Sequence, residues 1–218
     1  MNSSAPRRVE LVLDLVCVHC YLGFTRFRRA ARHHRAEGGT VETVIRPYRL
    51  RPDAPATGEP LFEVHKRERG EAAARAIRAD TSFGADDGLE LNLGRAVFTN
   101  TFDAHLLMGR AARQGRAEEM TERLFRAYFT DGLHISDRSV LSRLAAETGV
   151  TEEGYGAEEL RAELDRTREL VGARAVPLFR FDGEPVLEAG NGSVGSSDLL
   201  TLLTQRGRAC LGSQERGF

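Results

Sequence analysis

The hydrophobic pattern changes period twice along the chain. Val9 to Val16 is almost continuously apolar, broken only by Glu10 and Asp14. That is how a strand covered on both faces reads, so a buried β-strand is predicted there. Phe24, Phe27, Ala30, Ala31 and His34 then recur at helical spacing among arginines, which predicts an amphipathic helix stopped by Gly38–Gly39. Val41, Val44, Ile45 and Tyr48 predict a second strand that ends between Pro47 and Pro52.

The middle of the chain carries only helical patterns. Asp53 to Pro60 reads as a proline-rich loop. Helices are expected over Leu61 to about Ala79, over Ala96 to Arg113, and over Ala117 to Phe129, where Met120, Leu124 and Tyr128 fall four apart. Ser136 is the expected N-cap of a helix carrying Val140, Leu141, Leu144 and Ala145, and Glu158 to Val171 is a further helix. Leu89 to Leu93 is the one stretch between 53 and 172 that could be read as a strand.

Strand signals return at the end. Val176 to Phe181 reads as a strand with a proline at its start, Asp182–Gly183 as a hairpin turn, and Pro185 to Ala189 as the partner strand. Ser196 or Ser197 then caps a helix through Leu199, Leu200, Leu202 and Leu203. The expected fold class is therefore α/β: a small mixed sheet from residues 1–52 and 172–218, interrupted by an inserted helical domain over 53–171. A structureless connection of about 120 residues inside a compact protein would be implausible.

Composition narrows the class. The 218 residues are 41% hydrophobic and 29% charged, ordinary for a globular protein with its own core. The formal net charge of −1 gives no basic field to attract nucleic acid. No apolar run approaches the ~20 residues of a membrane span. Val9 to Val16 is too short and too charged for a secretion signal, so an intracellular, cytoplasmic protein is expected. Lys66 is the only lysine among 31 basic residues, a bias that reads as GC-rich codon usage rather than chemistry.

The three cysteines are too few for a disulfide scaffold, but two of them form Cys17–Val18–His19–Cys20 between the first strand and the first helix. A C-x-x-C at a helix start reads as a redox motif. The free N–H groups and partial positive charge of the helix N-terminus stabilise a thiolate on the first cysteine. Cys17 is thus the expected attacking thiolate. Cys20, one turn later, is the expected resolving thiol. His19, inside the motif, is expected to favour the thiolate as a cationic or hydrogen-bonding imidazole. Zinc needs two more ligands than the motif supplies, and no second pair follows, so no metal is expected. Cys210 stands alone near the C-terminus and reads as an incidental thiol.

Val176–Pro177 is the second constellation. A proline cannot donate to a sheet ladder, so its place at the start of a strand calls for a reason. A cis peptide here would turn the Val176 backbone toward a bound partner.

Taken together, Cys17–Val18–His19–Cys20–Tyr21–Leu22–Gly23, a long helical insert and Val176–Pro177–Leu178–Phe179–Arg180–Phe181–Asp182–Gly183 resemble the DsbA-like thioredoxin superfamily. The resemblance is closest to its FrnE-type branch, the cytoplasmic oxidoreductases associated with polyketide biosynthesis. Asn100 to Leu107 and Leu124 to Phe129 are similar to that branch as well. The likeness spans about residues 9–206. It implies a thioredoxin fold with a helical insertion, disulfide exchange at Cys17, and substrate contact beside a cis-proline lying against Cys17. FrnE-type proteins usually carry Cys-Pro-Trp-Cys, and Val18 and His19 depart from that. Asn100, Thr101 and His105 belong to a motif shared across the superfamily. Thr101 and His105 lie one turn apart and are expected to support the cleft, His105 as a packing residue rather than a base.

The same superfamily holds the 2-hydroxychromene-2-carboxylate isomerases and kappa-class glutathione transferases, which usually carry serine at the first active position. Intact Cys17 and Cys20 argue against that glutathione-dependent chemistry. A non-catalytic binding protein with a vestigial C-x-x-C is the third alternative. The expected partners are a protein or small molecule bearing a thiol or disulfide, with no nucleic acid and no membrane. No cofactor beyond the redox-active disulfide is expected, with glutathione or another thiol as an open co-substrate.

Overall fold

The computed structural model describes residues 6–172, 174–188 and 194–204. Cys210 lies outside them. Strand β1 (Arg7–Leu13) is followed by helix α1 (Val18–Ala36) and strand β2 (Val41–Pro47). A two-residue strand β3 (Glu59–Pro60) leads into α2 (Leu61–Arg69) and α3 (Glu71–Ala79). A second two-residue strand β4 (Val97–Phe98) precedes α4 (Phe102–Arg113), α5 (Ala117–Phe129), α6 (Arg138–Thr148) and α7 (Ala157–Val171). The chain closes with β5 (Leu178–Phe181), β6 (Glu184–Glu188) and α8 (Ser196–Thr204).

The main sheet has the order β2-β1-β5-β6, with β1 parallel to β2 and antiparallel to β5. β1 is thus a central strand, which is why its residues from Val9 to Leu13 are all buried. Asp182 and Gly183 both have positive φ, 52° and 93°, as a two-residue hairpin turn with the strand twist requires. The turn is pinned to the start of β1: Asp182 accepts the Arg8 backbone N–H at 3.1 Å and pairs with Arg7 at 2.9 Å.

The helical middle departs from the sequence expectation in four places. Val97–Phe98 pairs antiparallel with Glu59–Pro60, so the segment expected to be helical from Ala96 begins as a strand. The Asn100 side chain then turns the chain, accepting the Phe102 N–H at 2.9 Å and donating to the Ala54 carbonyl at 3.1 Å. Gly70, at φ 84°, splits the helix expected over Leu61–Ala79 into α2 and α3. Asp137, not Ser136, caps α6, accepting the N–H groups of Ser139 and Val140 at 2.7 and 3.3 Å. Leu89–Leu93 is not a strand.

A single hydrophobic cluster joins the sheet to the helices. It runs from Val9, Leu11 and Phe179 through Phe24 and Phe27 of α1 to Met108, Leu124, Phe125 and Phe129 of α4 and α5. Tyr21 stacks on Phe125 and Phe129 at centroid distances of 5.0 and 5.7 Å, which locks the first turn of α1 to α5. Each fully buried large side chain contributes about 1.5–3 kcal/mol, so this cluster, rather than helix propensity, fixes where α1 begins.

Gly23 marks the closest approach of α1 to the β5 segment. A Cβ there would sit 2.9 Å from Pro177 Cγ and 3.3 Å from the Phe179 ring. Gly23→Ala gains about 1 kcal/mol of helix propensity but overpacks against a rigid ring, which costs about 1–3 kcal/mol. Net destabilisation is the expected outcome of denaturant unfolding, larger for Gly23→Val; a stabilised Gly23→Ala would contradict this packing.

Candidate active site

Cys17 is the N-cap residue of α1, with extended backbone angles of φ −95° and ψ 112°. The turn before it is closed by the Cys17 N–H donating to the Asp14 carbonyl at 3.2 Å. Its Sγ accepts the Cys20 backbone N–H at 3.3 Å, the place a serine or aspartate oxygen takes in an ordinary cap. The two cysteines are free thiols here, Cys17 8% exposed and Cys20 fully buried.

The pair is electrostatically polarised. The Cys20 thiol donates to the Cys17 sulfur and holds the Cys17 pKa below the ordinary cysteine value. The backbone N–H groups of Cys20 and His19 add to this, against burial and the Asp14 carboxylate, which push upward. Cys20 moves the opposite way: burial above all, then the Cys17 sulfur, drive its pKa well up. One thiol is thus prepared as a thiolate and its neighbour is held protonated.

His19 takes a different part from the one its sequence position suggests. Its ring sits edge-on to Phe83 at 5.2 Å, and burial lowers its pKa, so the imidazole is neutral near pH 7. What reaches Cys17 is the His19 backbone N–H, not a cationic ring.

Val176–Pro177 is a cis peptide, and both residues are buried. Val176 belongs to the cluster that holds both cysteines, and the Pro177 ring packs over Gly23, one turn beyond Cys20. Asn100 is a loop clamp, as described above. Thr101 is buried at the N-cap of α4 and makes no side-chain capping bond, although its carbonyl accepts the His105 N–H at 2.9 Å. His105 is completely buried and meets Asp14, with Nε2 3.2 Å from the carboxylate Oδ1 and 2.9 Å from the Tyr48 carbonyl. Asp14 Oδ2 accepts the Leu50 N–H at 2.8 Å. Asp14 is the site residue that the hydrophobic pattern hid: it reads as an interruption of an apolar run. A carboxylate inside a buried segment must have a partner, and that demand was its one signal.

Among the described residues no group of three or more His, Cys, Asp or Glu could hold a metal ion, and no helix is long and apolar enough to cross a membrane.

The DSBA-like thioredoxin domain family matches residues 8–203. The chain belongs to that family. A probable DsbA oxidoreductase from Streptomyces coelicolor has the same fold at a TM-score of 0.76 and 27% identity, over 91% of this chain and 88% of that one. Cytosolic disulfide reductase DsbM from Pseudomonas aeruginosa, also solved with GSH, shares the fold at a TM-score of 0.56 and 23% identity, over 90% of this chain and 96% of that one. The Bacillus subtilis (strain 168) protein YwbO is 24% identical over 194 residues, 84% of this chain and 90% of its own.

Thiolate absorbance followed against pH is expected to show Cys17 titrating below the ~8.5 of a free cysteine. His19→Ala keeps the backbone N–H and should leave that midpoint almost unmoved. A large upward shift in His19→Ala would restore the cationic role to the ring.

Proposed function

We propose that this member of the DsbA-like family is a thiol–disulfide oxidoreductase in which Cys17 attacks and Cys20 resolves. The observation that carries the reading is the opposed shift of the two thiols: Cys17, capping α1, is pulled down while buried Cys20 is pushed up. The Cys17 thiolate attacks one sulfur of a substrate disulfide, forming a mixed disulfide and expelling the other sulfur as a thiolate. Cys20 then attacks Cys17, closing the Cys17–Cys20 bond and releasing the second substrate thiol. The substrate is reduced by two electrons and the enzyme pair is oxidised; the reverse sequence oxidises a dithiol. An intramolecular attacker one turn away raises the effective concentration of the resolving thiol far above that of any solution thiol.

Val176 and Pro177 are the proposed substrate contacts, since Val176 is buried in the same cluster as the cysteines and Pro177 borders α1 at Gly23. Thr101 and His105 support the site from α4. We assign the helical segment 53–171 as an inserted domain whose α4 and α5 brace the redox turn. A FrnE-type subfamily and service to a polyketide pathway rest on the sequence motifs quoted above. Glutathione is the proposed small-thiol partner, supported by the fold shared with a disulfide reductase solved with GSH. That relative is cytosolic by its own description, which supports a cytoplasmic location for this one.

Cys20→Ser should trap Cys17 as a stable mixed disulfide with glutathione under an oxidised glutathione buffer, detectable by intact mass. Cys17→Ser should trap none at residue 20, because Cys20 is buried and protonated. Equal trapping in both variants, or in neither, would overturn the assignment of roles.

A further inference from the structure

Residues 80–93 form a strap between α3 and β4, and its course is fixed at several points. The Asn92 N–H donates to the Phe129 carbonyl at the end of α5, at 2.6 Å. Leu89 is buried, and Leu91 and Leu93 pack on the main cluster. Asp87 ends a 3-10 turn over Ala85–Asp87. Its carboxylate accepts Arg26 Nε at 2.8 Å and Arg26 Nη2 at 2.7 Å, and its other oxygen lies 3.1 Å from Arg29 Nη2. The Asp87 side chain is only 8% exposed, so solvent and salt screen these pairs little. Phe83 is the forward anchor, with its ring edge-on to His19 at 5.2 Å. His19 and Arg26 lie two turns apart on one face of α1. The strap therefore follows that face from Asp87 back to the redox motif.

The contact at His19 is not made for stability alone. His19 Nδ1 is buried with no hydrogen-bond partner. Desolvating a polar nitrogen without compensation costs free energy, which a purely stabilising arrangement would avoid.

Strand register brings other walls to the same place. Leu13 of β1 is level with Pro47 of β2, and Val12 with Leu178 of β5. The chain leaving β2 and the Val176–Pro177 peptide entering β5 thus meet the turn that carries Cys17. The Leu50 N–H is tied to Asp14 Oδ2 at 2.8 Å, which holds the first of these walls in place. Cys17 is left with 8% of its surface exposed.

Two constraints follow for a substrate. Thiolate attack runs along the disulfide axis, so both substrate sulfurs must line up with Cys17. A protein disulfide brings two backbones with Cα atoms about 4.4–6.8 Å apart, each continuing in both directions, and these meet the walls around the sulfur. A polypeptide also lands on an apolar patch. Among the described residues Leu50, at 46%, is the one large apolar side chain left exposed. A low-molecular-mass disulfide ends a few bonds from its sulfurs and is subject to neither constraint.

We infer that Phe83, held over His19 by the Asp87 anchor, is a specificity-determining residue that restricts the Cys17–Cys20 pair to low-molecular-mass disulfides and excludes protein disulfides. The inference rests on the disulfide chemistry proposed above. In that reaction the substrate S–S bond breaks, the Cys17–Cys20 bond forms, and two substrate thiols leave with both electrons. Phe83 and Asp87 take no part in these bond changes and act on access alone.

The test compares second-order rate constants for oxidation of the reduced protein by glutathione disulfide and by insulin, followed by loss of free thiols. The parent should favour glutathione disulfide by about a hundredfold, and Phe83→Ala should narrow that ratio about tenfold by raising the insulin constant. Asp87→Asn removes the anchor and keeps the ring, and it should narrow the ratio in the same direction. Alkylation of Cys17 in a Cys20→Ser background reads access without disulfide exchange. There Phe83→Ala should accelerate a bulky fluorescent maleimide more than iodoacetamide. A parent oxidised equally fast by both disulfides overturns the filter. So do variants that keep the parent ratio, and Asp87→Asn decides if Phe83→Ala fails to fold. A parent that reacts with neither disulfide overturns the redox reading instead, and alkylation then decides the question of access.

Discussion

The hydrogen bond from the Cys20 backbone N–H to the Cys17 sulfur is the constraint on which the rest of the site depends. It makes a cysteine the cap of α1, so the reactive atom sits where the helix N-terminus is most positive. It can form only if β1 delivers the chain to that point in an extended conformation and α1 begins at once. The central place of β1 in the sheet and the stacking of Tyr21 on Phe125 and Phe129 secure both ends of that turn. Packing remote from the sulfur thereby sets its chemistry.

Opposed burial does the rest. Cys17 keeps a little exposed surface and several donors, so its charge is tolerated. Cys20, one turn deeper, has no exposed surface, and burial drives its pKa up. An asymmetric pair of this kind is suited to sequential attack, because the two thiols are never equally nucleophilic. The Asp14 carboxylate, in contact with His105, opposes thiolate formation at both.

Much of this was legible from the residues. β1 announced itself by its continuous apolar run, the redox turn by its C-x-x-C, and the last hairpin by Asp182–Gly183. Each depends on local chemistry that a sequence displays directly. The β3–β4 ladder was not legible, because two residues per strand leave no periodicity to detect. Gly70 falls inside the stretch expected as one helix from Leu61 to about Ala79, and its positive φ reveals the break. Ser136 and Asp137 are both good caps, and nothing local separates them. The Asp14–His105 pair joins residues 91 apart, and the neutral ring of His19 follows from its packing on Phe83. Long-range contacts of that kind follow from the fold, so they become readable only once it is built.

The central claim is that Cys17 and Cys20 act as one two-electron couple. Equilibration of the protein across a series of reduced-to-oxidised glutathione ratios, followed by acid quenching and thiol counting, tests it most directly. The account predicts a single transition in which two thiols are lost together, abolished by either cysteine-to-serine change. Two thiols that persist at every ratio, or that are lost one at a time to external glutathione, would contradict it.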